Sequence, residues 1–183
     1  ERTLMSSVFN QCASTEGAGF SARYWNNTDR TGEPVATDQL TTPFRLCTAG
    51  ATVFAPGVNL KDFSATYNTV FISQQSGTVV LDMYTCGMGK IYVDGNEVKS
   101  FKNGHGSRKT THEMEVKAGQ SYDIQIDFAY NMGEAQLNFD LGFKGGVDIK
   151  SAVAEVKDAD VVVFVGGISP SLEGEEMGVK LPG

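Results

Sequence analysis

The segment SYDIQIDFAY alternates without a break: Tyr122, Ile124, Ile126, Phe128 and Tyr130 are apolar, and the residues between them are polar or small. A period of two turns one side of an extended chain toward a core and the other toward water, so the segment predicts a half-buried β-strand. The next run, AQLNFDLGF, repeats the pattern with Leu137, Phe139, Leu141 and Phe143 inward and Gln136, Asn138 and Asp140 outward, after a turn around Asn131 to Glu134. As neighbours in sequence, the two strands are expected to pair as an antiparallel hairpin. Upstream, KIYVDGNEV sets Asp94-Gly95 between two strand-like segments, the dipeptide that suits a tight hairpin turn. TVVLDMYT precedes it and TYNTVFIS precedes that, with Ser76-Gly77 between the two. Strands that each carry one apolar face hide those faces only by stacking a second sheet or closing a barrel. The expectation is a mainly β protein, an antiparallel β-sandwich of jelly-roll type.

After Gly145-Gly146 the pattern changes. VDIKSAVAEVKDAD puts Val147, Ile149, Val153 and Val156 near one face of a short helix, and VVVFVGG reads as a buried strand. The residues that follow hang off the carboxyl end of that strand, where open α/β sheets place ligand-binding loops. The division is therefore a flank over 1–18, a sandwich over 19–145 and a helix-strand appendage over 146–183. A start without methionine and an end on LPG predict a piece of a longer protein, with any targeting signal upstream.

Composition narrows the function. Twenty-two acidic residues against 15 basic ones give a formal charge of -7, so a phosphate backbone or an anionic membrane is repelled on average. No apolar run approaches the length of a membrane span. The 21 glycines fit a loop-rich β protein. Cys12, Cys47 and Cys86 lack metal-ligand spacing, and an odd count leaves at least one thiol unpaired; a bridge between Cys12 and Cys47 stays open. No phosphate loop, dinucleotide motif or nucleophile elbow occurs, and no cofactor is expected.

The tail KDADVVVFVGGISPSLEGEE resembles the C-terminal α/β-sandwich domain of family 3 glycoside hydrolases, the β-glucosidases and β-xylosidases. The stretch 20 to 143 resembles the protective-antigen (PA-14) domain that some of those enzymes carry as an insertion in the same α/β domain. The motifs that carry this likeness are FSARYWNN, TCGMGKIYVDGNEV, QSYDIQIDFAY and AQLNFDLGF. Calcium-binding members of that class have two adjacent aspartates ahead of the strand that ends in Asp-Gly. Cys86 and Gly87 stand there instead, so no calcium is expected, and Cys86 is expected as a small buried apolar residue.

A retaining glycosidase needs two carboxyl groups about 5 Å apart. The resemblance implies that the acid/base lies on the acidic loop of the tail, with Glu175 as first candidate and Glu173 as second, and that the nucleophile comes from a barrel domain this chain lacks. The family's following Gly-x-Asp-Arg is absent at that spacing. No activity is expected of the chain alone, since a solvated glutamate is a poor acid at neutral pH. The stretch FKNGHGSRKTTHE reads as a long glycine-rich loop that gathers Lys102, His105, Arg108, Lys109 and His112. Lys102, His105 and Arg108 are candidates to donate hydrogen bonds to sugar hydroxyls, against the plainer reading of a solvated loop. Neither histidine has carboxylate or cysteine companions at zinc spacing, so no metal is expected. Alternation from Phe20 through Ala22 puts Tyr24 inside and Trp25 outside, where its ring either stacks on a pyranose or packs in an interface.

These readings converge on an accessory domain of a periplasmic or secreted, polysaccharide-degrading β-glycosidase. Its expected partners are the parent's catalytic domains and oligosaccharide substrate, whose entrance it shapes. An autonomous carbohydrate-binding module and a structural spacer are the rival expectations.

Overall fold

Valine, isoleucine, threonine and aromatic side chains crowd a helix but fit a pleated surface, and they dominate the alternating segments of this chain. In the computed structural model, which describes residues 5–102 and 106–145 together with residues 153, 154, 157 and 161, those segments are strands. In chain order they are β1 (Met5–Ser7), β2 (Cys12–Ser14), β3 (Gly17–Ala18), β4 (Phe20–Trp25), β5 (Ala36–Leu40), β6 (Phe44–Cys47) and β7 (Phe63–Ile72). They continue as β8 (Gly77–Cys86), β9 (Met88–Val93), β10 (Asn96–Lys102), β11 (Arg108–Val116), β12 (Ser121–Tyr130) and β13 (Gln136–Lys144).

Among the described residues the strands form two antiparallel sheets, giving a mainly β sandwich. One sheet has five strands in the order β1-β13-β8-β11, with β6 also on β13. The other has eight, in the order β10-β9-β12-β7-β2-β3, with β4 on β7 and β5 on β4. Residues Glu1–Val147 form one compact unit and Asp148–Gly183 a second. Residues 5–18, expected as a flank, supply β1 to β3 and the buried Val8, Phe9 and Cys12. Of the second unit, Val153 and Ala154 have helical geometry; the rest of the expected helix-strand appendage over 146–183 lies outside the described residues, apart from the exposed Lys157 and Val161.

The hairpin at Asp94-Gly95 forms as expected, joining β9 to β10 with φ of 50° and 75° at the two turn residues. Two positive φ values match the right-handed twist of paired strands, and glycine supplies the second at no steric cost. The expected hairpin between SYDIQIDFAY and AQLNFDLGF does not form. β12 pairs with β7 and β9, whereas β13 pairs with β1, β6 and β8 in the other sheet. Their connection crosses the core instead, held where Ala135 N–H donates to Thr48 Oγ1 at 2.8 Å and Thr48 N–H to Ala135 O at 3.0 Å. Alternation shows which side of each strand is apolar, and an inward face is equally well served in either sheet. A second difference concerns FKNGHGSRKTTHE: Phe101 and Lys102 end β10, and Arg108 to Glu113 belong to β11, in register with β8. The polar run conceals a strand at the edge of its sheet, where few side chains need be apolar.

The core between the sheets is aromatic. Phe44 of the five-stranded sheet meets Tyr67 and Phe20 of the eight-stranded sheet at ring distances of 5.1 and 5.8 Å, Phe139 at 5.3 Å and Phe9 at 6.2 Å. Phe54, Phe63 and Phe128 form a second group within 6.0 Å of one another. Tyr24 and Tyr67 meet edge to face at 6.0 Å; their buried hydroxyls neighbour each other, and neither makes a hydrogen bond of normal geometry among the described residues. Burial holds both phenols above their ordinary pKa. Two core substitutions should therefore differ sharply in denaturant titrations. Phe44→Ala empties the centre of the ring cluster and should cost about 3–5 kcal/mol. Tyr67→Phe removes a buried hydroxyl that makes no hydrogen bond of normal geometry and should change stability by less than about 1 kcal/mol. A loss of several kcal/mol in Tyr67→Phe would mean that its hydroxyl has a partner.

Candidate functional site

The core fixes the inward residues of the eight-stranded sheet, and the same pleat sends their neighbours to its outer face. Strand register arranges those outward residues in rows. Tyr92 of β9 lies opposite Gln125 of β12, Gln125 opposite Asn68 of β7, and Asn68 opposite Ser21 of β4. The next row is charged: Lys90 lies opposite Asp127, Asp127 opposite Thr66, and Thr66 opposite Arg23.

A trough of about 520 Å³ lies over the neutral row, lined by Ser21, Asn68, Tyr92, Asp123 and Gln125. Ser14 and Thr15 line it from the β2–β3 turn, and Gly95 from the β9–β10 hairpin. That hairpin is tied to β12 by reciprocal contacts, Asp123 N–H to Asp94 Oδ1 and Asp94 N–H to Asp123 O, both 2.8 Å. A second trough of about 540 Å³ continues past Tyr92 and is lined by Arg30, Lys90, Lys102, Asp127 and Phe101. Its carboxylate is already engaged. Arg30 Nη2 lies 3.0 Å from Asp127 Oδ2, and Gln125 Nε2 donates to Asp127 Oδ1 at 2.8 Å. Arg30 sits at φ 59° in a loop that Asn27 closes by bonding both Thr31 N–H and Thr31 O. Such side-chain closure of a turn holds the arginine over the sheet.

Sequence-derived candidates are dispersed. Trp25 ends β4, half-buried, and its Nε1–H donates to Gly32 O at 2.9 Å. Lys102 ends β10 and lines the charged trough. Arg108 opens β11 in the opposite sheet, opposite Thr85. His105, Glu173 and Glu175 lie outside the described residues. The neutral row was not singled out beforehand, although its members are the polar positions of strands already recognised from alternation. Which of them face one another is a property of register.

A third cavity, of about 340 Å³, is lined by Cys47, Cys86, Ser107, Tyr130, Glu134 and Gln136. Cys86 is buried with its Sγ 3.9 Å from Tyr130 Oη, and burial together with that thiol pushes the phenol up to about 12. A Cβ on Gly87 would lie 2.4 Å from Phe128 Cε2, so an aspartate does not fit there without moving the ring. Among the described residues no three His, Cys, Asp or Glu side chains gather as a metal site. None of their helices is long and apolar enough to cross a membrane.

Residues 17–150 match the PA14 domain family. This chain belongs to that family. The PA14 chain is also 36% identical over 176 residues to a xylan 1,4-beta-xylosidase of Xylanibacter ruminicola, a match covering 94% of the chain and 20% of that protein. It thus spans about a fifth of the length of the curated relative it matches. Its fold is similar to part of a beta-glucosidase from Kluyveromyces marxianus, with a TM-score of 0.63 at 14% identity, over 85% of this chain and 21% of that one. The PA14 domain of the MpAFP antifreeze protein superposes with a TM-score of 0.52 at 16% identity, over 77% of this chain and 88% of that one.

The chain holds Cys12, Cys47 and Cys86 as free thiols, so the bridge left open by the sequence is not made. Cys12 is pushed up to about 12, chiefly by burial, and Cys86 is buried while Cys47 is half-buried. A thiol-specific reagent at mildly alkaline pH should label one cysteine per native chain, Cys47, and all three after denaturation. Labelling Cys12 in the native protein would contradict its burial.

Proposed function

We propose that this PA14 domain is an accessory part of a family 3 β-glycosidase acting outside the cytoplasm, where it shapes the substrate entrance and selects among oligosaccharides. The observation that carries this reading is the match to the xylan 1,4-beta-xylosidase. At 94% of the chain it runs beyond the PA14 segment of residues 17–150 and takes in most of the tail as well. A sandwich continuous with the tail of a glycosidase is what an inserted module requires. In this reading the domains divide near residue 145, the tail belongs to the hydrolase α/β domain, and the barrel that carries the nucleophile lies elsewhere in the parent. Glu175 is then the acid/base, with Glu173 the next choice, and Lys102, His105, Arg108 and Trp25 are the side chains offered to substrate.

Two measurements on the full-length parent test this. Replacing residues 103–107 by a Gly-Ser segment of equal length should change the ratio of kcat/KM for long and short xylo-oligosaccharides while leaving an activated aryl glycoside unaffected. An unchanged ratio sinks the entrance role. Glu175→Gln should lower kcat about 10²-fold or more for substrates with poor leaving groups, and far less for those with good ones, as expected of a lost general acid. An equal loss on both substrates would move the assignment to another residue.

A further inference from the structure

We propose that the trough over the row Tyr92–Gln125–Asn68–Ser21 is a binding site for a neutral oligosaccharide chain. Four strands at a spacing of ~4.8 Å make a floor about 14 Å across, open above and flanked by the β2–β3 and β9–β10 turns. That shape suits an extended ligand several rings long better than a compact one.

The lining chemistry selects the ligand class. Thr15, Asn68 and Tyr92 offer hydroxyl and amide groups with no internal partner among the described residues, Ser14, Ser21 and Gln125 already donate within the protein and present acceptor oxygens, and Asp123 is the one charged side chain of the lining. Hydroxyls and amides both donate and accept, which complements sugar hydroxyls that do the same. A polyanion would meet no cation here, and a hard cation would find a single carboxylate where it needs several oxygens. The half-buried Tyr92 adds an aromatic surface against which the apolar face of a pyranose packs. Neither the Asn68 side-chain amide nor the Tyr92 hydroxyl has a hydrogen-bond partner among the described residues, so both are available to a ligand. The adjoining charged trough differs in kind, since Arg30, Asp127 and Gln125 satisfy one another there. The two meet at Tyr92, which lines both. A chain lying along the neutral row therefore ends beside Lys102 and the Lys90–Glu97 ion pair.

The proposal draws on the carbohydrate reading above only for the choice of ligands to test, and it requires no parent enzyme. The experiment is calorimetric titration of the 183-residue chain with xylohexaose and cellohexaose, on the unaltered protein and on surface variants whose melting temperatures are unchanged. Saturable binding is expected, with Kd raised about tenfold or more by Asn68→Ala and by Tyr92→Ala. Tyr92→Phe, which keeps the ring, should lose less than Tyr92→Ala, and Arg45→Ala, an exposed position on the opposite sheet, should lose nothing. Absence of binding to both sugars, or binding that survives Asn68→Ala and Tyr92→Ala together, overturns the site. The two proposals fail separately. A chain that binds no sugar while the 103–107 replacement still alters the parent's length preference loses the trough and keeps the entrance role. Binding along the row with an unaltered parent preference does the reverse.

Discussion

Phe44 is the point on which the two sheets are locked together. It rises from a strand of only four residues, yet its ring meets Phe20 and Tyr67 of one sheet, Phe139 of the other, and Phe9 from the turn between β1 and β2. Stacked and edge-to-face rings at these distances each add to the burial of large apolar area, and they tolerate little sliding. Once Tyr67 and Phe20 are held against Phe44, the pleats of β7 and β4 are fixed, and with them the identity of every outward residue. A slip of one residue in β7 would bury Asn68 and expose Tyr67. The polar row on the far side of the sheet is thus a consequence of the aromatic packing on the near side.

The connections transmit this constraint to the rest of the sandwich. From β7 onward the chain changes sheet at every step except the β9–β10 hairpin, so most consecutive strands meet across the core and do not share hydrogen bonds. This arrangement leaves little room where the chain crosses. A Cβ at Gly89 would lie 1.9 Å from Asp127 O, and one at Gly87 would lie 2.4 Å from Phe128 Cε2. The same crowding leaves no room for an aspartate at Gly87, beside the buried thiol of Cys86.

Charge is distributed to match. The net charge of -7 makes the chain a poor partner for polyanions, while the outer face of the eight-stranded sheet neutralises its own ions internally. Asp127 is held between Arg30 and Gln125, and Lys90 Nζ lies 2.6 Å from Glu97 Oε2. The exposed Lys90–Glu97 pair contributes little to stability, whereas Asp127 is buried beside Arg30. Their effect here is to leave the neighbouring neutral row free of strong local fields.

Strand positions were legible from alternation alone: Tyr122 to Tyr130 and Leu137 to Phe143 face the core as their period requires, and Asp94-Gly95 turns where two positive φ values are needed. Family membership was legible too, because its motifs are strings of adjacent residues. What the sequence could not supply was the identity of each strand's neighbour. β12 and β13 lie in opposite sheets although only five residues separate them, and β11 ran unseen through a polar stretch because an edge strand needs few apolar residues. Tyr92, Gln125, Asn68 and Ser21 become one surface only when β9, β12, β7 and β4 are set side by side. Periodicity is a local property fixed by the pleat, whereas pairing is chosen by long-range packing of the aromatic core, and only the tertiary structure decides it.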